Sequence, residues 1–296
     1  MNKTESVSVI MPAYNAENTL LASATSVLEQ TLANIELIII NDGSVDGTQT
    51  IIDALHNKYP DQVSVLSITN HGVSYARNLG IKHARYPWIA FCDADDIWYP
   101  HKLSTQLAQI QDFSWSYTDS FYVGKAFPTP IKRSAQSQLL AGHIYHDLLK
   151  ENFLTTSSIL IKKALLTELG GFDEHLAALE DWDLWLCIAA QHPITLVDEP
   201  LLDYLVYPGS TSRKAREMVP LHEAIINKHH ASVTSAMYHE ALTKSYSICS
   251  YIAEDSHDYY YALVCSAKAF KVQPFSLKLL KRLIRTSVLV ISSGKI

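Results

Sequence analysis

Trp88-Ile89-Ala90-Phe91-Cys92-Asp93-Ala94-Asp95-Asp96-Ile97-Trp98 sets an apolar run directly against three carboxylates. The first five residues have the character of a strand covered on both faces. Asp93, Asp95 and Asp96 then fall within four residues. Neighbouring carboxylates raise one another's pKa and oppose folding unless a cation neutralises them. Asp93 and Asp95 are two residues apart, so in an extended segment they point to the same side. Hard oxygen donors suit Mg2+ or Mn2+, which typically take one or two protein carboxylates together with substrate phosphates. The competing reading is a solvated turn whose aspartates cap a helix starting near Tyr99-Pro100.

Upstream of this segment, strand and helix signals alternate. Residues 7–11 are rich in β-formers and end at Pro12. Residues 18–30 carry apolar side chains at 20, 21, 24, 27 and 28, which is helical spacing. Residues 35–40 (IELIII) are almost continuously apolar, as a buried parallel strand requires. Asp46 and Gln49 form a capping-box-like start for a helix with Ile51, Ile52, Leu55 and Tyr59 on one side. Residues 63–68 alternate as a strand, and residues 73–84 read as a helix. This rhythm predicts an α/β fold with a mostly parallel, doubly wound sheet. Such sheets bind ligands beyond the carboxyl ends of their strands. Three polar clusters fall at those ends: Pro12-Ala13-Tyr14-Asn15, Asn41-Asp42-Gly43-Ser44 and the aspartates after Cys92.

Downstream the pattern loosens. Residues 114–123 alternate as a strand, and 125–138, with prolines, serines and basic residues, read as an exposed loop. Helices are expected at 143–151 and 163–169, with a strand at 157–161 between them. Gly170-Gly171 supplies the positive φ that ends the second helix. Residues 179–190 (LEDWDLWLCIAA) form an apolar helix with an acidic start, and 194–197 a short strand. From about residue 215 the chain reads as helical, with breaks at 255–258 and 273–274. Residues 259–270 and 276–290 are expected to form an antiparallel helical hairpin. The expected division is a catalytic domain at 1–214 and an all-helical extension at 215–296.

The chain of 296 residues is 48% hydrophobic and 18% charged, enough to bury a sizeable core. A net charge of −6 speaks against a nucleic-acid surface. Its four cysteines form no CxxC pair, which fits a reducing cytosol better than a disulfide framework. The N-terminal apolar run is short and broken by Pro12, so it reads as a strand rather than a signal peptide. No segment approaches the roughly 18 unbroken apolar residues of a membrane span. Lys278, Lys281, Arg282 and Arg285 are interleaved with leucines and isoleucines. That pattern favours a packed terminal helix with a basic outer face; a helix lying peripherally on an anionic membrane, at the inner face of the cell membrane, is the other reading. Oligomerisation is left open.

Other residues carry chemistry. Asp42 at a strand end can accept from a nucleobase or a ribose hydroxyl, or simply make a turn. Arg77 is suited to pairing with a phosphate or with an acidic residue. Glu180 and Asp181 complement a helix N-terminus, and Asp181 in a partly dry pocket would also make a general base, with Asp183 a further candidate.

VSVIMPAYNAENTL, IELIIINDGSVDGT, NHGVSYARNLGIKHARYPWIAFCDADDIW and the ED of LEDWDLWL occur in that order. Together they resemble the family 2 glycosyltransferases, with the GT-A fold, over roughly residues 6–212. The resemblance implies that Pro12, Tyr14, Asn15 and Glu17 line the nucleotide pocket. It implies that Asp42 binds the base, usually uracil, with Ser44 close by, and that Arg77 stands near the diphosphate. Asp93-Ala94-Asp95 becomes the D-x-D motif, with Asp93 and Ala94 on the nucleotide and Asp95 on Mn2+ or Mg2+. Asp96, Glu180 and Arg213 fall near the acceptor or sugar, and Asp181 is the catalytic base of an inverting transfer. The donor implied is a nucleotide sugar, UDP-linked by preference, and the acceptor a hydroxyl of a glycan or lipid-linked glycan in bacterial surface polysaccharide assembly. The Q-x-x-R-W motif and membrane helices of processive members are absent from the sequence, which favours transfer of one sugar.

Three rivals stand beside this reading. A sugar-phosphate nucleotidyltransferase should carry a glycine-rich loop where this chain has PAYNAENTL. A nicotinamide-dependent dehydrogenase should carry GxGxxG in the same place. A catalytically inactive, nucleotide-binding scaffold acting through its helical tail is opposed by the retained Asp95 and Asp181.

Overall fold

A computed structural model describes residues 5–125, 127–207 and 214–294. The chain divides into two compact units, Met1–Ile144 with Phe153–Tyr207, and Tyr145–Asn152 with Pro208–Ile296.

The first unit is built on a nine-stranded sheet. Its wound half uses β1 (Val7–Ala13), β2 (Ile35–Asp42), β3 (Val63–Ile68) and β4 (Trp88–Phe91), in the order β3-β2-β1-β4, all parallel. Helices α1 (Leu20–Leu28), α2 (Thr48–Lys58) and α3 (Val73–His83) make the crossovers. All eight residues of β2 are buried, which explains the nearly continuous apolar run at 35–40. Glu36 is the exception within it. Its carboxylate is stabilised by Arg85, whose backbone N–H and Nε each donate at 2.6 Å, and by the Ser8 hydroxyl.

The other half is mixed. β5 (Ile97–Trp98) follows β4 after one turn, too soon for a parallel crossover, and pairs antiparallel with β9 (Thr195–Leu205) instead. β6 (Trp115–Gly124) runs parallel to β9 and antiparallel to β8 (Leu160–Lys162), which joins β4. Helices α4 (Lys102–Gln109), α6 (Lys163–Glu168) and α7 (Glu180–Ala189) complete the unit.

Several local expectations change. The loop expected at 125–138 contains β7 (Phe127–Lys132), which pairs with β6. Pro128 and Pro130 cannot donate to a ladder, and an exposed edge strand tolerates them. The strand expected at 194–197 runs on through Pro200 to Leu205, with its register against β6 shifting at Asp119. The strand expected at 157–161 starts later, because Thr156–Ser158 forms a 3-10 turn. The Asp46/Gln49 box is not made. Gly47 is the N-cap of α2, Asp46 accepts from the Thr48 N–H at 3.0 Å, and Gln49 bonds Asn41 and Asp53. The aspartates after β4 do not cap α4, since β5 intervenes and the N-cap is His101.

The second unit contains α5 (Tyr145–Lys150), α8 (Ala215–Lys228), α9 (Ser235–Asp255), α10 (Tyr259–Val272) and α11 (Leu277–Ser292). Ser250, Ser266 and Thr286 form a buried chain of hydroxyls joining α9, α10 and α11, with steps of 3.1 and 3.0 Å. Arg282 donates from Nε to Ser250 Oγ at 3.0 Å and pairs with Glu254. These bonds satisfy polar groups in the interior of the bundle. Among the described residues no helix is long and apolar enough to cross a membrane.

Candidate active site

The loops after β1 and β2 lock together. The Asn15 N–H donates to Ser44 Oγ at 3.0 Å, and Asn15 Oδ1 accepts from the Val45 N–H at 2.9 Å. The Ala16 N–H donates to Thr48 Oγ1 at 2.8 Å, the Glu17 N–H donates to Asp46 Oδ2 at 3.2 Å, and Glu17 Oε2 accepts from the Gly47 N–H at 2.7 Å. Asn15, Glu17 and Ser44 therefore brace the two loops against each other, while Tyr14 is exposed and Pro12 half-buried.

Asp42 is buried at the end of β2. Its two oxygens accept from the His71 and Gly72 N–H groups at 2.7 and 2.9 Å. A carboxylate has about four acceptor sites, so this leaves capacity for another donor. The loop before α3 thus reaches Asp42, an arrangement the sequence reading did not single out. Gly43 allows it: at φ +74° a Cβ would stand 2.7 Å from the Asn70 backbone nitrogen. Gly43→Ala is expected to cost about 1–3 kcal/mol, read from the denaturant midpoint.

The acidic turn has its cation in α3. Arg77, almost fully buried, donates from NH2 to Asp93 Oδ1 at 2.8 Å and from NH1 to Glu180 Oε1 at 2.6 Å. The Phe172 ring lies 5.2 Å from its guanidinium. Both carboxylates hold the Arg77 pKa above its ordinary value against the opposing effect of burial. One buried side chain therefore ties the turn after β4 to the first residue of α7.

The three aspartates occupy different environments. The Asp93 N–H donates to Ser157 Oγ at 3.0 Å, beside the buried Ala94. Asp95 is half-buried, and burial, then Asp93, push its carboxyl up to about 6, with Tyr207 among the groups pulling it down. Asp96, expected near acceptor or sugar, is fully buried and accepts from the Leu205 N–H in β9 at 3.1 Å. Burial pushes its carboxyl well above the ordinary range, and Asp93 and Asp95 add to this. Ser157 and the Leu205 N–H oppose that shift, and among the described residues its Oδ2 meets no donor in full hydrogen-bond geometry. That buried oxygen beside Asp95 fits a hard divalent cation at the turn.

Asp181 sits one residue inside α7. Its Oδ2 accepts from Thr156 Oγ1 at 3.0 Å and its Oδ1 from the Trp182 N–H at 2.7 Å. Burial lifts its carboxyl to about 6, Glu180 adds to the lift, and Arg77 opposes it. Such a carboxyl suits a base working near neutrality. Asp183 is buried deeper in the same turn of helix. Arg213 lies outside the described residues.

Three contributors were missed. Thr155-Thr156-Ser157-Ser158 is a buried run of four hydroxyls that reaches both Asp93 and Asp181. Gln106 anchors it by donating to the Ser158 carbonyl at 2.9 Å. Arg133 donates to Tyr122 Oη at 2.7 Å and to Thr155 Oγ1 at 3.2 Å. Tyr207 stands against Asp95. The hydroxyl run ahead of an apolar strand was a visible signal; the other two lie in segments that resemble surface loop.

The sequence profile of glycosyl transferase family 2 matches residues 8–169. An Escherichia coli protein described as UDP-Glc:alpha-D-GlcNAc-diphosphoundecaprenol beta-1,3-glucosyltransferase WfgD is 33% identical over 208 residues, covering 65% of this chain and 73% of its own. The mannosyltransferase PcManGT of Pyrobaculum calidifontis, solved with GDP-Man and Mn2+, superposes with a TM-score of 0.64 at 17% identity, covering 96% of this chain and 80% of its own. S. aureus TarS residues 1–349, solved with UDP-GlcNAc, superposes with a TM-score of 0.58 at 18% identity, covering 90% of this chain and 89% of its own. With the profile spanning more than half of the chain and the GT-A architecture shared, the chain belongs to glycosyl transferase family 2 and is a glycosyltransferase.

Proposed function

We infer that the chain moves one sugar, with inversion, from a UDP-sugar to a hydroxyl of a lipid-linked glycan, in bacterial surface polysaccharide assembly at the cytoplasmic face of the membrane. The observation that carries this is the double pairing of Arg77, which sets the helix bearing Asp181 against the acidic turn. The donor and acceptor classes rest on the E. coli relative, described as acting on UDP-Glc and a diphosphoundecaprenol-linked sugar. Residues 1–214 are the catalytic module in this reading, and 215–296 the extension.

The chain's own groups divide the work. Tyr14 and Pro12 line the nucleotide side, on the loops that Asn15, Glu17 and Ser44 brace, and Asp42 accepts from the base. Arg77 fixes Asp93 and the start of α7. Asp181 takes the acceptor proton as the new bond from the acceptor oxygen to the anomeric carbon forms and the bond to the diphosphate breaks. Asp95, with Asp96 behind it, would hold Mn2+ or Mg2+; the metal, when bound, neutralises charge on the leaving diphosphate.

The test is a panel of nucleotide sugars with Mn2+ and a lipid-linked acceptor. Turnover of a UDP-sugar with formation of a glycosylated lipid is expected. Metal-dependent UDP-sugar binding without turnover across acceptors would instead make the chain a nucleotide-binding scaffold. Asp95→Ala is expected to abolish the Mn2+-dependent part of UDP-sugar binding, measured by calorimetry with and without metal.

A further inference from the structure

We propose that α11 is a docking surface for an anionic lipid bilayer, an interaction that goes beyond the transfer reaction. Its inner face is settled within the bundle: Leu279, Arg282, Thr286 and Val290 are buried. The outer face is not polar. Leu277, Leu280, Ile284, Val288 and Ile291 are 74%, 38%, 55%, 57% and 70% exposed. At 100° per residue these five fall within an arc of about 80°, a single stripe along the helix. Phe275, just before the helix, is 99% exposed and extends the apolar surface.

Charge selects the occupant. Lys278, Lys281 and Arg285 lie side by side on the arc next to the stripe, at about 40–100° from Leu277. Arg285 is partly neutralised by Glu254, at 2.5 Å; among the described residues the two lysines make no ion pair, although Asp255 lines the same cleft. The helix LKLLKRLIRTSVLVIS carries no acidic residue, although the whole chain has a net charge of −6. An apolar stripe bordered by cations matches the acyl boundary and phosphate headgroups of an anionic leaflet. A second copy fits less well, because a two-fold pairing of this face brings like charges together. The helix lies on the bilayer rather than across it, being neither long nor apolar enough to span.

The test is flotation of the full chain with phosphatidylcholine vesicles, with and without phosphatidylglycerol. The protein should float with the anionic vesicles, and less so in high salt. Ile284→Glu with Val288→Glu should lower the bound fraction about tenfold or more, and Lys278→Glu with Lys281→Glu should remove the preference for phosphatidylglycerol. Transfer to a water-soluble acceptor should match the unsubstituted chain, which separates loss of docking from loss of catalysis. Equal flotation of all variants, or none with the native sequence, overturns the proposal. So does a concentration-dependent dimer that Ile284→Glu with Val288→Glu dissolves, which would assign the stripe to a second copy.

Discussion

Asp181→Asn is expected to lower the transfer rate by about 10²–10⁴-fold while leaving UDP-sugar binding within a few-fold of normal. The amide keeps the shape of the carboxylate. Its oxygen still accepts from the Trp182 N–H, and its NH2 faces a Thr156 hydroxyl that accepts as readily as it donates. The fold therefore has no reason to suffer, and removing one of two adjacent negative charges at Glu180-Asp181 eases repulsion. What is lost is the capacity to take a proton, together with the attraction of its charge to Arg77. The pH profile carries the same information. A base must be deprotonated to act, and this carboxyl is pushed up to about 6. At saturating Mn2+, kcat/KM should rise with pH up to about 6 and level off above it, and the acidic limb should vanish in Asp181→Asn. Wild-type transfer rates in this variant would remove Asp181 from the role of base.

Arg77→Met should cost about 3–5 kcal/mol of stability, because breaking a buried pair leaves uncompensated charge behind. Two carboxylates are left behind here, although Asp93, with 29% of its side chain exposed, recovers some hydration and points to the lower end of that range. Arg77→Lys is the informative companion. A single ammonium cannot fork to Asp93 and Glu180 as the guanidinium does, so it should recover part of the stability. The loss of charge also reaches the chemistry. The Arg77 charge opposes the upward shift of Asp181, so the acidic limb of the pH profile should move to higher pH in Arg77→Met and stay close to its native position in Arg77→Lys. A purely structural arginine would lower the melting temperature and leave that limb in place.

The wound half of the sheet was legible because its signals are local. The apolar run of β2 and the periodicities of α1 and α2 each lie within a dozen or so residues, and burial on two faces leaves a mark on composition. β7 was illegible because prolines at 128 and 130 argue against a strand until its edge position is known. The extent of β9 beyond Val197 depended on β6 offering a shifting register past Pro200, which no local pattern encodes. In the helical unit the breaks at 255–258 and 273–274 were read from turn chemistry and lie between α9, α10 and α11.

By itself, the sequence determined that carboxylates end a buried strand, that polar clusters recur at the neighbouring strand ends, and that an acidic pair opens an apolar helix. Those are properties of residue type and spacing. Tertiary structure decided which charges answer one another. Arg77 and Glu180 are 103 residues apart in the chain, and Ser157 and Asp93 are 64 apart. Their meeting depends on β8 inserting beside β4 and on α3 packing along β1 and β2, so no window of sequence contains it. It also separated the three aspartates, giving Asp93 the arginine, Asp96 full burial, and Asp95 the half-buried position, because solvent access and hydrogen-bond partners belong to the fold rather than to the motif.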